Sequence, residues 1–200
     1  MLYSFARALL IPVFLLFYNY RVTGRENVPE SGAYIACANH LSAIDPIFVG
    51  ISLPHRMYFM AKVELFRNKL LAALMHGLGA YPIKRGEADI KSIKTSLKLL
   101  GDGKVLGLFP EGTRFKAGED DAAEPGIAML AVRAKVPVLP VAIVSSYKFF
   151  RRTRVIIGKP VELTEYYDKK LHNEDYLKIS KDIMNSINKL KKDAADENNS

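Results

Sequence analysis

Residues 33–46 read Ala-Tyr-Ile-Ala-Cys-Ala-Asn-His-Leu-Ser-Ala-Ile-Asp-Pro, and the reading of this stretch decides the fold. It opens with an apolar run of strand length over residues 33–38 and breaks at Asn39-His40. It resumes as a helix start, because Ser42 and Asp45 are residues that cap helices and Pro46 suits a first helical turn. A strand, a turn and a helix in that order form one unit of an α/β layer architecture. On a continuous helix, His40 and Asp45 would be separated by about 500° of rotation and would face different directions. With a turn between them the two side chains can meet at the carboxyl end of the strand. None of the other three histidines has an aspartate at this spacing.

The same alternation continues outward. Further apolar runs of strand length occupy residues 57–61, 80–83, 105–109, 138–144 and 154–157. Helix-period segments lie between them. In residues 89–100, Ile90, Ile93, Leu97 and Leu100 share one face, and Lys91, Lys94 and Lys98 another. Residues 125–134 open with Pro125, and residues 173–192 carry Tyr176, Ile179, Ile183, Ile187 and Leu190 at helical spacing. The expected fold is a single-domain α/β sandwich around a largely parallel sheet. In such sheets ligands bind beyond the carboxyl ends of the strands.

Composition narrows the classes of function. Two hundred residues fit one domain, and 49% hydrophobic residues suffice for a substantial core. The net charge of +8 suits nucleic acid, anionic lipid or phosphorylated substrates. No nucleic-acid motif accompanies it, and no metal cluster or nucleotide loop is visible. The single cysteine, Cys37, rules out an intramolecular disulfide, fits a reducing compartment, and reads as a buried structural thiol.

The N-terminal segment is apolar from Ala8 to Tyr18. It is too short for a spanning helix, which needs about 20 apolar residues, and it contains Pro12. It lacks the charge order and cleavage site of a signal peptide. Tyr3, Phe5, Phe14, Phe17, Tyr18 and Tyr20 ring it, and Arg21 and Arg25 follow, a pattern that favours a helix lying in a membrane surface. A helix packed on its own domain is the other reading. The expected organisation is a membrane-interface helix over residues 1–20, a catalytic domain over 21–192 and a disordered tail over 193–200.

Two readings of His40 and Asp45 stand on the residues alone. In one, Asp45 fixes the imidazole tautomer and His40 takes a proton from a hydroxyl, a role worth about 10²–10⁴-fold in rate. In the other, Asp45 caps its helix and His40 is an ordinary loop residue. The choice turns on a second motif, Phe109-Pro110-Glu111-Gly112-Thr113-Arg114, which also follows an apolar strand. Gly112 permits a tight turn whose amides can bind an anion or a developing oxyanion, and Arg114 offers a planar fork for phosphate. Glu111 beside a phosphate site is repulsive, so its place is to bind a substrate hydroxyl or to hold Arg114.

In this order the two motifs resemble those of the glycerolipid acyltransferase family. Two further segments resemble its remaining blocks. Ala80-Tyr81-Pro82-Ile83-Lys84-Arg85 is similar to the second, whose arginine helps to bind glycerol phosphate and maps to Arg85. Read without the family, it is a strand end with two basic residues. Val136-Pro137-Val138-Leu139-Pro140-Val141 is similar to the fourth, associated with the acyl substrate through Val138 and Pro140. A buried strand explains it almost as well. Phe115 stands where the family often has a small residue, and Glu124 where it often has lysine. The basic aromatic run at 147–154 fits either an anionic lipid contact or a solvated loop.

The resemblance implies transfer of a fatty acyl group from acyl-CoA or acyl-carrier protein to the free hydroxyl of 1-acylglycerol 3-phosphate. The product is phosphatidic acid, in phospholipid biosynthesis. His40 and Asp45 would be catalytic, while Arg85, Glu111, Gly112, Thr113 and Arg114 would bind the acceptor. No cofactor or metal is needed, and Ser31 and Ser42 lack a nucleophile-elbow context. The implied partners are a phospholipid membrane, lysophosphatidic acid and the thioester donor, with the enzyme peripheral on the cytoplasmic face of the cell membrane. Glycerol 3-phosphate or another lyso-lipid as acceptor, a hydrolase using the same histidine, and a silent membrane-binding module remain as alternatives.

Overall fold

The computed structural model describes residues 2–84, 89–110 and 124–196. The chain order is helix α1 (Leu2–Tyr18), strand β1 (Tyr20–Thr23), β2 (Ile35–Ala38), α2 (Asp45–Ser52), β3 (Met57–Lys62), α3 (Lys69–Gly77), β4 (Ala80–Ile83) and α4 (Ile90–Gly101). It continues with β5 (Val105–Leu108), α5 (Gly126–Ala134), β6 (Val138–Val144), β7 (Thr153–Ile157) and α6 (Asn173–Asp196). All seven strands form one sheet in the order β1-β7-β6-β2-β5-β3-β4. Every neighbouring pair is parallel except β6 with β7, which is antiparallel. The expected α/β sandwich with a largely parallel sheet is the fold observed.

The sheet is buried on both faces, as parallel sheets are. In β2, alternate residues divide between two layers. Ile35 and Cys37 pack with residues of α4, α5 and α6, including Leu100, Ile127 and Ile183. Tyr34, Ala36 and Ala38 pack with Phe14 of α1 and Phe48 of α2. Local chemistry sets the helix starts. The Asn68 side chain accepts from Leu70 N and Leu71 N ahead of α3, and Asp89 accepts from Lys91 N and Ser92 N ahead of α4.

Three observations bear on the expected organisation. First, β1 was not foreseen, and the expected boundary after residue 20 falls inside it. Tyr20 is buried, its ring lies 5.9 Å from Phe48, and its hydroxyl shares a 2.6 Å hydrogen bond with Ser52 Oγ. Second, one face of α1 is packed on the domain, which was the other reading of the N-terminal segment. The Tyr3 hydroxyl accepts from Met57 N at 3.1 Å, Arg7 donates to Pro54 O at 2.9 Å, and Phe14 meets Phe48 edge-on at 4.8 Å. Third, the last helix continues past Lys192 to Asp196, because Ala194 is buried and its carbonyl accepts from the Arg154 guanidinium. Residues 193–196 are thus helix rather than tail.

Candidate active site

The three adjacent strands β6, β2 and β5 run parallel and end on the same edge of the sheet. Beyond their carboxyl ends stand Tyr147, His40 and Phe109, respectively. After β2, the Asn39 side chain extends the ladder one step: its Nδ2 donates to Ile143 O at 3.0 Å, and its Oδ1 accepts from Ile143 N at 2.7 Å. Asn39 is buried, so this amide pair replaces the strand pairing that ends at Ala38 and fixes where His40 begins.

The chain then turns, and α2 starts at Asp45. His40 Nδ1 lies 3.1 Å from Asp45 Oδ2. The same Oδ2 accepts from Leu41 N at 2.7 Å and from Ser42 N at 2.6 Å. A carboxylate is acceptor-only, so Nδ1 is the imidazole nitrogen that carries the proton. Asp45 is fully buried and His40 only 6% exposed. Asp45 does not cap its own helix; its carboxylate reaches back over the turn and organises it. The convergence that the His-Asp spacing required of an intervening turn is present.

Two partners of this pair were missed by sequence reasoning. The Tyr147 hydroxyl donates to Asp45 Oδ1 at 2.8 Å. Tyr147 adopts a left-handed backbone (φ 57°), and its N–H donates to Ser145 Oγ at 2.9 Å. Its only sequence signal was its place in the basic aromatic run, which says nothing of a carboxylate. Phe109, quoted above only as the first residue of its motif, lies flat against the imidazole with ring centroids 4.1 Å apart. Phe59 lies behind it, 6.3 Å further on and nearly parallel. Phe59 in turn occupies the space over Gly107, where an added Cβ would come within 2.0 Å of its ring.

The remaining predicted residues fall in two groups. Arg85, Glu111, Gly112, Thr113 and Arg114 lie outside the described residues. Their flanks are described: Lys84 N donates to Asp89 Oδ2 at 2.8 Å, and Glu124 N donates to Pro110 O at 3.0 Å, directly after Phe109. Val138 and Pro140 are buried within β6. Val138 packs in the layer beneath α5 and α6, opposite the one that holds α2, so the structure does not bring it to His40. The Pro140 carbonyl accepts from Gly158 N at 2.8 Å, and its ring approaches Gly158 beside Leu190.

Tyr81 and Asp89 serve the fold. Burial pushes the Tyr81 hydroxyl up to about 12, against a hydrogen bond shared with Ser96 that lowers it. Three backbone N–H groups, from Lys84, Ser92 and Lys91, hold the half-buried Asp89 carboxyl below its ordinary value. Among the described residues, no group of His, Cys, Asp and Glu side chains gathers that could hold a metal ion.

Comparison with known proteins agrees with this architecture. The 1-acyl-sn-glycerol-3-phosphate acyltransferase of Bacillus subtilis is 32% identical over 152 residues, which is 73% of this chain and 75% of that protein. The human 1-acyl-sn-glycerol-3-phosphate acyltransferase alpha is 33% identical over 64% of this chain, and the chain spans 46% of its length. The relative from Borreliella burgdorferi is 28% identical, with 52% of its length spanned. The chain thus spans about half the length of the human and Borreliella proteins. The crystal structure of the 1-acyl-sn-glycerophosphate acyltransferase from Thermotoga maritima superposes with a TM-score of 0.66 at 23% identity, over 91% of this chain and 78% of that one, and shows the same fold. A family model described as Acyltransferase matches residues 19–144, which include β2, α2, β5 and β6, and the chain belongs to the acyltransferase family.

Proposed function

We propose that this protein transfers a fatty acyl group from acyl-CoA or acyl-carrier protein to the free hydroxyl of 1-acylglycerol 3-phosphate, giving phosphatidic acid. What carries this reading is the closed pair of His40 Nδ1 and Asp45 Oδ2, 3.1 Å apart at the carboxyl end of the sheet. With Nδ1 committed to Asp45, Nε2 takes the proton of the acceptor hydroxyl as its oxygen attacks the thioester carbonyl. The tetrahedral intermediate collapses, the carbon–sulfur bond breaks, and the leaving thiolate receives the proton from His40. Asp45 holds the ring and offsets the transient positive charge. No covalent enzyme intermediate and no cofactor enter the balance.

By their chemistry Arg85 and Arg114 would bind the acceptor's phosphate, Glu111 and Thr113 would contribute to acceptor binding, and the Gly112 turn would supply amides for the developing oxyanion. The chain supports this by connectivity, since Glu111 follows Pro110 and therefore leaves from the residue next to the His40–Phe109 stack. Val138 and Pro140 would act on the acyl substrate only through the strand they build. The enzyme would sit on one membrane leaflet, on the cytoplasmic side, with the exposed stripe of α1 at the interface and the domain, which begins with β1 at Tyr20, above it. No helix among the described residues is long and apolar enough to cross a membrane. One face of α1 presents Leu2, Phe5, Leu9, Val13 and Leu16, all exposed and at helical spacing.

The test is purified protein with labelled acyl-CoA or acyl-carrier protein and lysophosphatidic acid, with glycerol 3-phosphate as competing acceptor and free fatty acid measured alongside. Labelled phosphatidic acid that vanishes in His40→Ala supports the reading. Fatty acid release without transfer, or a preference for glycerol 3-phosphate, overturns it.

A further inference from the structure

The loop between β6 and β7 has a feature that the reaction does not use. Beyond Tyr147 it presents Phe149 and Phe150, which are 65% and 70% exposed, between the exposed cations Lys148, Arg151 and Arg152. Neither ring is loosely placed. Phe150 has a left-handed backbone (φ 61°), a conformation that costs a non-glycine residue about 1–3 kcal/mol. It is held there by its own N–H, which donates to Phe17 O at 2.6 Å and satisfies a carbonyl of the last turn of α1. Phe17 lies 5.9 Å from Phe149 and 5.8 Å from Phe150, and Tyr18 lies 5.5 Å from Phe149. The loop and the end of α1 therefore form one aromatic ridge, continuous with the exposed stripe that ends at Leu16.

We propose that this ridge is a second membrane-binding arm, in which Phe149 and Phe150 enter the headgroup boundary of an anionic bilayer while Lys148, Arg151 and Arg152 meet its phosphates. Two exposed phenylalanines bracketed by cations are the chemistry of an interfacial anchor: rings for the acyl boundary and positive charge for the surface. An apolar ridge of this extent facing water is unfavourable unless something covers it. The lipid substrate of the proposed function, on which this inference rests, supplies a bilayer as that cover. The arm also stands close to the chemistry. Phe149 is two residues from Tyr147, at most about 7 Å of extended chain, and Tyr147 holds the Asp45 carboxylate. Membrane contact at the ridge thus sets the dyad near the leaflet where a lyso-lipid headgroup is presented.

The experiment uses the full chain, co-sedimented with phosphatidylcholine vesicles and with vesicles of equal parts phosphatidylcholine and phosphatidylglycerol. Phe149→Ser/Phe150→Ser should bind both about tenfold more weakly. Arg151→Glu/Arg152→Glu should lose binding only on the anionic vesicles, and less so in high salt. Turnover of the Phe pair variant on a short-chain, water-soluble acceptor should equal that of the wild type. Equal vesicle binding by wild type and Phe variant overturns the arm while leaving the reaction intact. Absence of transfer to the soluble acceptor by the wild type overturns the reaction, and the partition result still decides the arm. A raised KM for acyl-carrier protein in the Arg variant, with vesicle binding unchanged, would make the ridge a dock for an acidic protein and overturn the lipid assignment. Since the chain has no tryptophan, Phe149→Trp and Phe150→Trp give a second readout. Their emission should shift blue on adding anionic vesicles, and an unshifted spectrum in both overturns the proposal.

Discussion

The hydroxyl of Tyr147 donates to Asp45 Oδ1 across 102 positions of sequence. Both carboxylate oxygens of Asp45 are therefore engaged: one by Tyr147, the other by His40 and two backbone amides. A hydrogen bond to a charged group contributes about 1.5–3 kcal/mol. Tyr147→Phe keeps the ring and removes only the donor, so kcat should fall roughly tenfold with both KM values little changed. Because Asp45 then loses a donor that stabilises its negative charge, the pH profile of kcat should move as well. A fall in Tm with an unaltered pH–rate profile would make Tyr147 a purely structural residue.

His40→Ala should lower turnover by at least about a hundredfold while the far-ultraviolet circular dichroism spectrum is retained. Asp45→Asn should fall nearly as far for a different reason. Two backbone N–H groups and the imidazole N–H all point at one oxygen, so the amide must place its carbonyl there and turn its NH₂ toward Tyr147, whose hydroxyl can accept. The shape survives and the negative charge does not. Initial rates for both variants, on the same acceptor, decide this.

If Arg85 and Arg114 hold the acceptor's phosphate, alanine at either position should raise the acceptor KM far more than the donor KM. Lysine should restore only part of the loss, because it keeps the charge without the planar fork. Equal effects on both substrates would assign these arginines to the donor's phosphates or to structure.

Gly107→Ala tests the ring stack from below. The new methyl would meet the Phe59 ring at 2.0 Å, so Phe59 must move. Its neighbour on one side is Phe109, which lies on the imidazole, so the shift is passed toward His40. Activity should drop by more than an order of magnitude together with about 1–3 kcal/mol of stability. Phe59→Leu in the same chain should recover part of both, as read by denaturant unfolding and initial rates.

The Asp89 cap predicts a pH dependence. Its folded value is lowered by hydrogen bonds to its charged form, so its contribution is present above the unfolded value of about 3.8 and is lost as pH falls through the lower folded value. The Tm advantage of wild type over Asp89→Ala should be constant at neutral pH and shrink below that range. A difference that persists in acid would show that the charge is not what caps α4.

Much was legible in the sequence because it is written in local pattern. Strands β4 and β6 begin and end where their apolar runs do, and α2 starts at Asp45 as Pro46 indicated, although no side chain caps it. A His-Asp spacing that can close only across a turn, placed after an apolar run, located the dyad, since each part of that inference concerns neighbours along the chain. Tertiary structure decided what depends on distant segments. Strand β1 reads Tyr-Arg-Val-Thr, with no apolar run to mark it, and exists because it pairs with β7. The N-terminal segment favoured a helix in a membrane surface over a packed one; α1 is packed through Tyr3, Arg7 and Phe14 while its opposite stripe is exposed, a division fixed by what lies beside it. Tyr147 reaches Asp45, and Phe109 covers His40, because β6, β2 and β5 are neighbours in the sheet. Strand order is a global outcome of packing, and no window of sequence around His40 contains it.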